Sequence, residues 1–318
     1  MSRQKRQRPP GWADALRVGL VSYPGCMASA IEGLRELLGI ANMLAARASL
    51  AQRFEVAVVD ACGPLPASPL GILIVPPDIG DRYHDAPDPA LLAWLREQHR
   101  QGAVVCSACA GAFVLAASGV LDGRKATTHW LLAPEFARRF PAVRLDADRI
   151  LVDDGDVLTA GGLMSWIDLG LELVARYTTP ALMRELGRLM VVDTGTREQR
   201  YYRRFMPRFD HGDGDIVRAQ HYIRAHLAGR LTTAEIAGHC FLTERTLQRR
   251  FLRATGFTPL EYVQRLRVQR ACELLEETRD TVDRASLKAG YEDPGAFRRA
   301  FVRIVGLTPT EFRRRFAA

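Results

Sequence analysis

Lysine is nearly missing from this chain: of 44 basic residues among 318, only Lys5, Lys125 and Lys288 are lysine. That excludes a basic surface built from ammonium point charges and leaves guanidinium groups, which make bidentate contacts to phosphate or guanine. Cysteine is sparse too, with six residues at 26, 62, 106, 109, 240 and 272. This excludes the disulfide framework of a small secreted domain and points to reduced thiols in a cytoplasm. Paired zinc-type cysteine doublets are absent, and the seven histidines lack a helical ligand spacing, so neither metal nor cofactor is expected. With 26 Gly and 17 Pro, collagen-like and low-complexity classes are excluded. The basic start is followed by Pro9-Pro10-Gly11-Trp12 where an export signal needs an apolar run. One stretch, 103–121, carries no charge over 19 residues, yet its Gly, Ser and Cys content argues against a membrane span. What is there, 47% apolar and 25% charged, describes a soluble globular chain of about two domains.

Charge is distributed unevenly. Residues 1–195 hold 20 Lys+Arg against 21 Asp+Glu, whereas 196–318 hold 24 against 15, so the excess of +8 comes from the C-terminal part. That part contains a repeat with a 50-residue offset. Arg249/Arg299, Phe251/Phe301, Arg253/Arg303, Gly256/Gly306, Thr258/Thr308, Pro259/Pro309 and Glu261/Glu311 coincide without gaps, the mark of a duplicated supersecondary unit. Thr258-Pro259-Leu260-Glu261 and Thr308-Pro309-Thr310-Glu311 each read as N-cap, first-turn proline and N3 glutamate, a capping box. Gly256 and Gly306 suit the left-handed residue that ends the preceding helix. Those helices start near Thr243 and Asp293, bury Leu247/Phe251 and Phe297/Phe301, and follow short helices at 234–240 and 282–289. Residues 259–278 read as one connecting helix, with Leu260, Val263, Leu266, Ala271, Leu274 and Leu275 as its apolar positions. Helix, tight turn and a second helix with long polar side chains outward is DNA-binding helix-turn-helix geometry, here present twice.

Over residues 213–318 this pattern resembles the AraC/XylS family of transcription regulators. The resemblance implies double-stranded DNA as partner. It places base contacts at Arg245, Gln248 and Arg249 in the first copy and at Ala296, Arg298 and Arg299 in the second. Two departures stand out: Ala285-Ser286 replaces the usual Ile-Ala, and Pro294-Gly295 opens the second recognition helix, where proline is tolerated.

The N-terminal part alternates apolar strands (17–22, 54–60, 71–75, 103–106), read as buried, with helical stretches, implying an α/β domain with a parallel sheet. The turn Ser107-Ala108-Cys109-Ala110-Gly111 lies between a strand and a helix, an arrangement that exposes a side chain at a helix N-terminus, where a thiol pKa is lowered. With residues 112–130 behind it, the stretch resembles the ThiJ/PfpI branch of the class I glutamine amidotransferase-like fold, over about 16–192. Cys109 and His129 fall on that family's nucleophile and histidine positions. The family's Pro-Gly-Gly loop, which offers N–H groups to an oxyanion, is Pro76-Pro77-Asp78 here, and proline has no N–H to give. No acid lies between Cys26 and Ile31, and Glu32 falls in the following helix, so no catalytic residue is assigned.

Residues 158–174 read as strand, Gly-Gly turn and helix, and such turns bind ligands at the carboxyl ends of strands. The expected ligand site therefore comprises Cys109, Ala110, His129, Trp130, Gly161 and Gly162, with Phe113, Trp130 and Trp166 either as aromatic faces suited to a cationic amine or as core packing. An amidotransferase-like domain (14–195), a linker (196–212) and a double helix-turn-helix domain (213–318) together resemble the GlxA family of transcription regulators. That resemblance implies a small-molecule effector, with nitrogenous metabolites such as amino acids or quaternary amines as its class, a homodimer, RNA polymerase as a further partner if the protein activates, and a cytoplasmic location. Two other readings stay open: a cysteine-dependent hydrolase or deglycase, and a redox sensor using the Cys106/Cys109 C-x-x-C.

Overall fold

The computed structural model describes residues 15–317 apart from 81 and 196. The basic N-terminal stretch, the expected domain start at 14, and residues 196 and 318 lie outside the described residues. The chain divides into two compact units, Met1–Gln199 and Arg200–Ala318.

In the first unit β1 (Ala15–Ser22), α1 (Ala28–Arg47), β2 (Arg53–Asp60) and β3 (Ile72–Val75) are followed by α2 (Pro89–Arg100), β4 (Val104–Ala108) and α3 (Gly111–Ala117). Then come β5 (Lys125–Ala126), α4 (Ala133–Arg139), β6 (Arg144–Leu145), β7 (Leu151–Asp153), β8 (Val157–Ala160), α5 (Trp166–Tyr177) and α6 (Pro180–Met190). The main sheet runs β2-β1-β3-β4-β8-β7, parallel except for the β7/β8 pair; β5 and β6 form a separate parallel pair. Every residue of β3, β4 and β8 is buried, as strands covered on both faces require. Ile72, Ile74, Cys106 and Leu158 pack in one core with α1, α5 and α6, while Leu73, Val75 and Val105 pack in another with α2 and α3. The strand at 54–60, read as buried, is an edge: β2 pairs only with β1, and Val58 stays 47% exposed. The chain reversals after β1, β3, β4 and β8 gather at one end of the sheet, which positions the site described below.

The second unit contains α7 (Gly214–Ala225), α8 (Thr233–His239), α9 (Glu244–Thr255), α10 (Pro259–Glu277), α11 (Val282–Lys288), α12 (Pro294–Val305) and α13 (Pro309–Phe316). Capping boxes close at Thr232, Thr258 and Thr308, and Gly256 and Gly306 end α9 and α12 at φ 77° and 87°. Each copy has its own core. Leu247, Phe251, Tyr262 and Leu266 belong to one; Ala271, Leu275, Phe297 and Phe301 belong to the other, so α10 serves both. Leu260, read as apolar core, is 46% exposed, because the buried stripe of α10 runs Pro259, Tyr262, Val263, Leu266 and leaves 260 outside it. Residues after 199, read as linker, lie along this unit: the Phe205 N–H donates to Gln269 at 3.0 Å and its ring packs edge-on to Phe257 and Tyr262. Among the described residues no helix is long and apolar enough to cross a membrane.

Candidate functional site

Cys109 sits directly after β4 with φ 54°, a left-handed conformation that costs a non-glycine residue about 1–2 kcal/mol. Two hydrogen bonds hold it there. Its N–H donates to the Ala160 carbonyl at 2.8 Å, and its own carbonyl accepts from Thr128 Oγ1 at 2.8 Å. The thiol is not activated. Cys109 is 4% exposed, and burial pushes its pKa up to about 12, with the Asp78 carboxylate adding to the rise. The expected lowering at a helix N-terminus is overturned because α3 has only seven residues, and desolvation outweighs its small dipole. Cys106, fully buried in β4, is also pushed up to about 12, so neither half of the C-x-x-C is a ready thiolate.

The loop opposite presents carbonyls where an oxyanion needs N–H groups. A Cβ on Gly111 would lie 2.4 Å from the Val75 carbonyl and 2.6 Å from that of Pro76. The Pro76 carbonyl also accepts from Tyr23 Oη at 2.6 Å, and that of Pro77 from Met27 N at 2.8 Å. Asp78 is buried and accepts from His84 Nδ1 at 2.7 Å. Glu32 faces outward on α1, paired with Arg35. Phe113, read as a pocket aromatic, is fully buried against Phe136 and Phe140, and Trp166 is 6% exposed. We expect iodoacetamide at about pH 8 to modify exposed Cys62 and leave Cys106 and Cys109 untouched, as read by peptide mass spectrometry. A buried thiol whose folded pKa is raised favours the folded state below its unfolded pKa, about 8.5, and loses that contribution as pH rises. The first unit's melting temperature is therefore expected to fall between about pH 8.5 and the thiol value of about 12.

Of the expected ligand residues, Trp130 and Gly161 meet one further side chain that sequence reasoning missed, Gln199, and Cys109 is joined to it through Thr128. Its Oε1 accepts from the Trp130 N–H at 3.1 Å, and its Nε2 donates toward Thr128 O (2.9 Å), Arg149 O (2.8 Å) and Thr127 Oγ1 (3.1 Å). Gly161 is glycine for this reason, since a Cβ there would stand 1.9 Å from Gln199 Nε2. His129 is half-buried, stacks on Trp130 at 5.5 Å, and accepts the Leu131 N–H on Nδ1; burial lowers its pKa. Ala110 caps α3, buried, and Gly162, at φ 97°, turns the chain into the Ser165 hydrogen bonds without touching Gln199. Among the described residues no group of three His, Cys, Asp or Glu side chains is placed to hold a metal ion.

In the second unit Arg245, Gln248 and Arg249 line the exposed face of α9, and among the described residues the two arginines have no carboxylate partner. Their neighbour Arg250 differs, being fixed to Asp213 and Asp215 of the α7 start at 2.5 and 2.9 Å. On α12, Ala296 is half-buried, while Arg298 and Arg299 are exposed and face Asp283 (3.4 Å) and Asp293 (3.7 Å). Exposed pairs of this kind contribute about 0–1 kcal/mol, so they yield readily to a phosphate. Sequence reasoning missed Arg267, whose guanidinium donates to the Leu227 and Gly229 carbonyls at 3.0 and 2.6 Å and lies over Tyr291 of the other copy. It ties the copies together where Gly290, at φ 92°, leaves no room for a Cβ against Leu227 O. Phe241 is the opposite case: it turns the first copy at φ 56° and is 92% exposed, where the second copy uses Gly290. Phe241→Gly should remove a strain of about 1 kcal/mol and raise the melting temperature by a few degrees in a calorimetric scan.

Comparison with known proteins places this geometry. Residues 71–176 match the DJ-1/PfpI family model, and residues 236–315 match a helix-turn-helix domain model. The chain is 31% identical over 226 residues to the HTH-type transcriptional regulator CdhR of Pseudomonas aeruginosa, spanning 71% of this chain and 67% of that protein. It is 31% identical over 238 residues to the HTH-type transcriptional regulator ArgR of the same organism, spanning 74% and 71%. To the HTH-type transcriptional regulator GlxA of Rhizobium meliloti it is 27% identical over 232 residues, spanning 70% and 68%.

Proposed function

We propose a mode of action for this chain, which belongs to the family of transcriptional regulators that join a DJ-1/PfpI-type domain to an AraC-type helix-turn-helix domain. It binds a specific DNA sequence with α9 and α12 in successive major grooves, about 34 Å apart, and a small nitrogenous metabolite bound near Cys109 and His129 controls that binding. The observation that carries the reading is the face of α9. Arg245 and Arg249 are exposed and, among the described residues, without a carboxylate partner beside Gln248, on a helix whose opposite side is locked by Phe251 and Arg250. Arginine pairs with guanine O6/N7 and glutamine with adenine N6/N7, so this spacing suits base readout, with other arginines on phosphates.

The first unit acts as a sensor without turnover. Its thiol is held protonated by burial and by the nearby Asp78 side chain, and Pro77 lacks an N–H to offer an oxyanion. Stacked His129 and Trp130 supply faces that suit a nitrogen-bearing cation. The protein works as a cytoplasmic homodimer on paired half-sites, and recruits RNA polymerase where it activates. Competition binding tests the reading: the full chain should hold DNA from its own promoter about a thousandfold or more above random DNA at physiological salt. Equal affinity for both would refute it.

A further inference from the structure

The cradle around Gln199 contains one N–H donor and three oxygen acceptors, Thr127 Oγ1, Thr128 O and Arg149 O, all within 3.1 Å of a single nitrogen. Gln199 is 3% exposed, so its carboxamide is wholly taken into the first unit. The backbone beside it is paired as well: Gln199 N–H donates to Asp148 O at 2.8 Å, Glu198 bridges to Arg149, and Arg197 is held on Asp168 of α5 at 2.7 Å. Arg200 already belongs to the second unit, where Tyr202 packs on Phe316. The last residue of one unit is thus a plug in that unit's own site, with almost no free chain before the next.

We propose that this cradle is a ligand subsite for a nitrogen bearing N–H groups, filled here by the chain's own Gln199 as a tethered stand-in, and that displacing Gln199 is how ligand reaches the DNA-binding unit. The proposal deepens the sensor reading above and rests on it. Three converging oxygens reward a group that donates at least two hydrogen bonds, such as a primary amide, ammonium or guanidinium. A quaternary ammonium has no N–H, so it would forfeit all three hydrogen bonds that Gln199 Nε2 makes and leave only the Thr127 hydroxyl to serve the Arg149 and Thr128 carbonyls, and the cradle disfavours it. Thr128 links the subsite to Cys109 through the Cys109 carbonyl, which puts the two halves of the site on one hydrogen-bonded path. Once the Gln199 side chain leaves, Arg197 and Glu198 still hold the chain but its last side-chain anchor before Arg200 is gone, so the tether to the paired DNA-binding units of a dimer is longer and the effective concentration that it provides falls.

Full-length Gln199→Ala opens a hole the size of acetamide. Amide exchange at 126–130 and 149–150 should rise by about tenfold. Acetamide should reverse this rise, whereas N,N-dimethylacetamide, which has no N–H, should not. Affinity for promoter DNA carrying both half-sites should fall by about fivefold or more, and acetamide, being untethered, should not restore it. Gln199→Glu, which sets a carboxylate against the three oxygens, should expel the side chain and give the same loss of DNA affinity. Exchange unchanged by Gln199→Ala, or reversed equally by both amides, overturns the subsite. DNA affinity unchanged in both variants overturns the tether. Failure of the wild-type chain to prefer promoter DNA would instead sink the regulator reading, while the acetamide comparison would still report on the cradle.

Discussion

Arg249→Ala is expected to lower affinity for the specific DNA site by about 1–3 kcal/mol, or about 5- to 150-fold, and to relax base preference at one position. Arg245→Ala should act similarly at a neighbouring position. Both side chains are exposed and have no carboxylate partner among the described residues, so neither replacement breaks an internal contact and stability should be unchanged. Arg298 and Arg299, the positions expected to contact bases from α12, each face an aspartate within their own copy, an exposed pair worth about 0–1 kcal/mol, so their alanine variants should also relax base preference, with a smaller net loss. Titrating each variant against the site and single-base variants of it, at two salt concentrations, separates this from a phosphate contact, whose loss weakens binding evenly across sequences and lowers the salt dependence.

Phe251→Ala should have the largest effect on stability. The ring is fully buried and meets Tyr262 edge-on at 5.2 Å, and removing it leaves a cavity that costs about 3–5 kcal/mol. That is a large share of the roughly 5–15 kcal/mol that holds a domain of this kind together. The loss falls on the first copy, whose core is separate from that of Phe297 and Phe301. In urea titrations of the full chain, the helical transition should shift to lower denaturant and the DNA-binding signal should disappear with it. Phe301→Ala, the equivalent change in the second copy, should cost a similar amount, since that ring is equally buried.

The second unit was the more legible part because its signals are local. Thr258 and Thr308 cap their helices through contacts three residues away, and Gly256 and Gly306 declare their φ by lacking a side chain. α7 escaped notice because its buried residues, Ile216, Ala219, Gln220 and Ile223, include a glutamine whose partners, the Tyr262 hydroxyl, the Arg208 carbonyl and the His211 ring, lie outside the helix. In the first unit the alternation of strands and helices was readable, but β7 is three residues long and pairs antiparallel at an edge that no periodicity announces. The Cys109 turn could be found from its spacing, whereas its thiol pKa could not, because burial depends on residues far along the chain. Gln199 was out of reach for the same reason. Its partners lie 50 to 72 residues away, and its neighbours read as a polar, arginine-rich connection.

Hydroxyl-radical footprinting of the full-length protein on its own promoter tests the central claim most directly. The account predicts two protected segments per bound DNA-binding unit, centred about one helical turn (roughly 10–10.5 base pairs) apart, with Arg249→Ala clearing one of them and Arg299→Ala weakening the other. A uniform pattern without protected segments, or a footprint that survives both replacements unchanged, would contradict it.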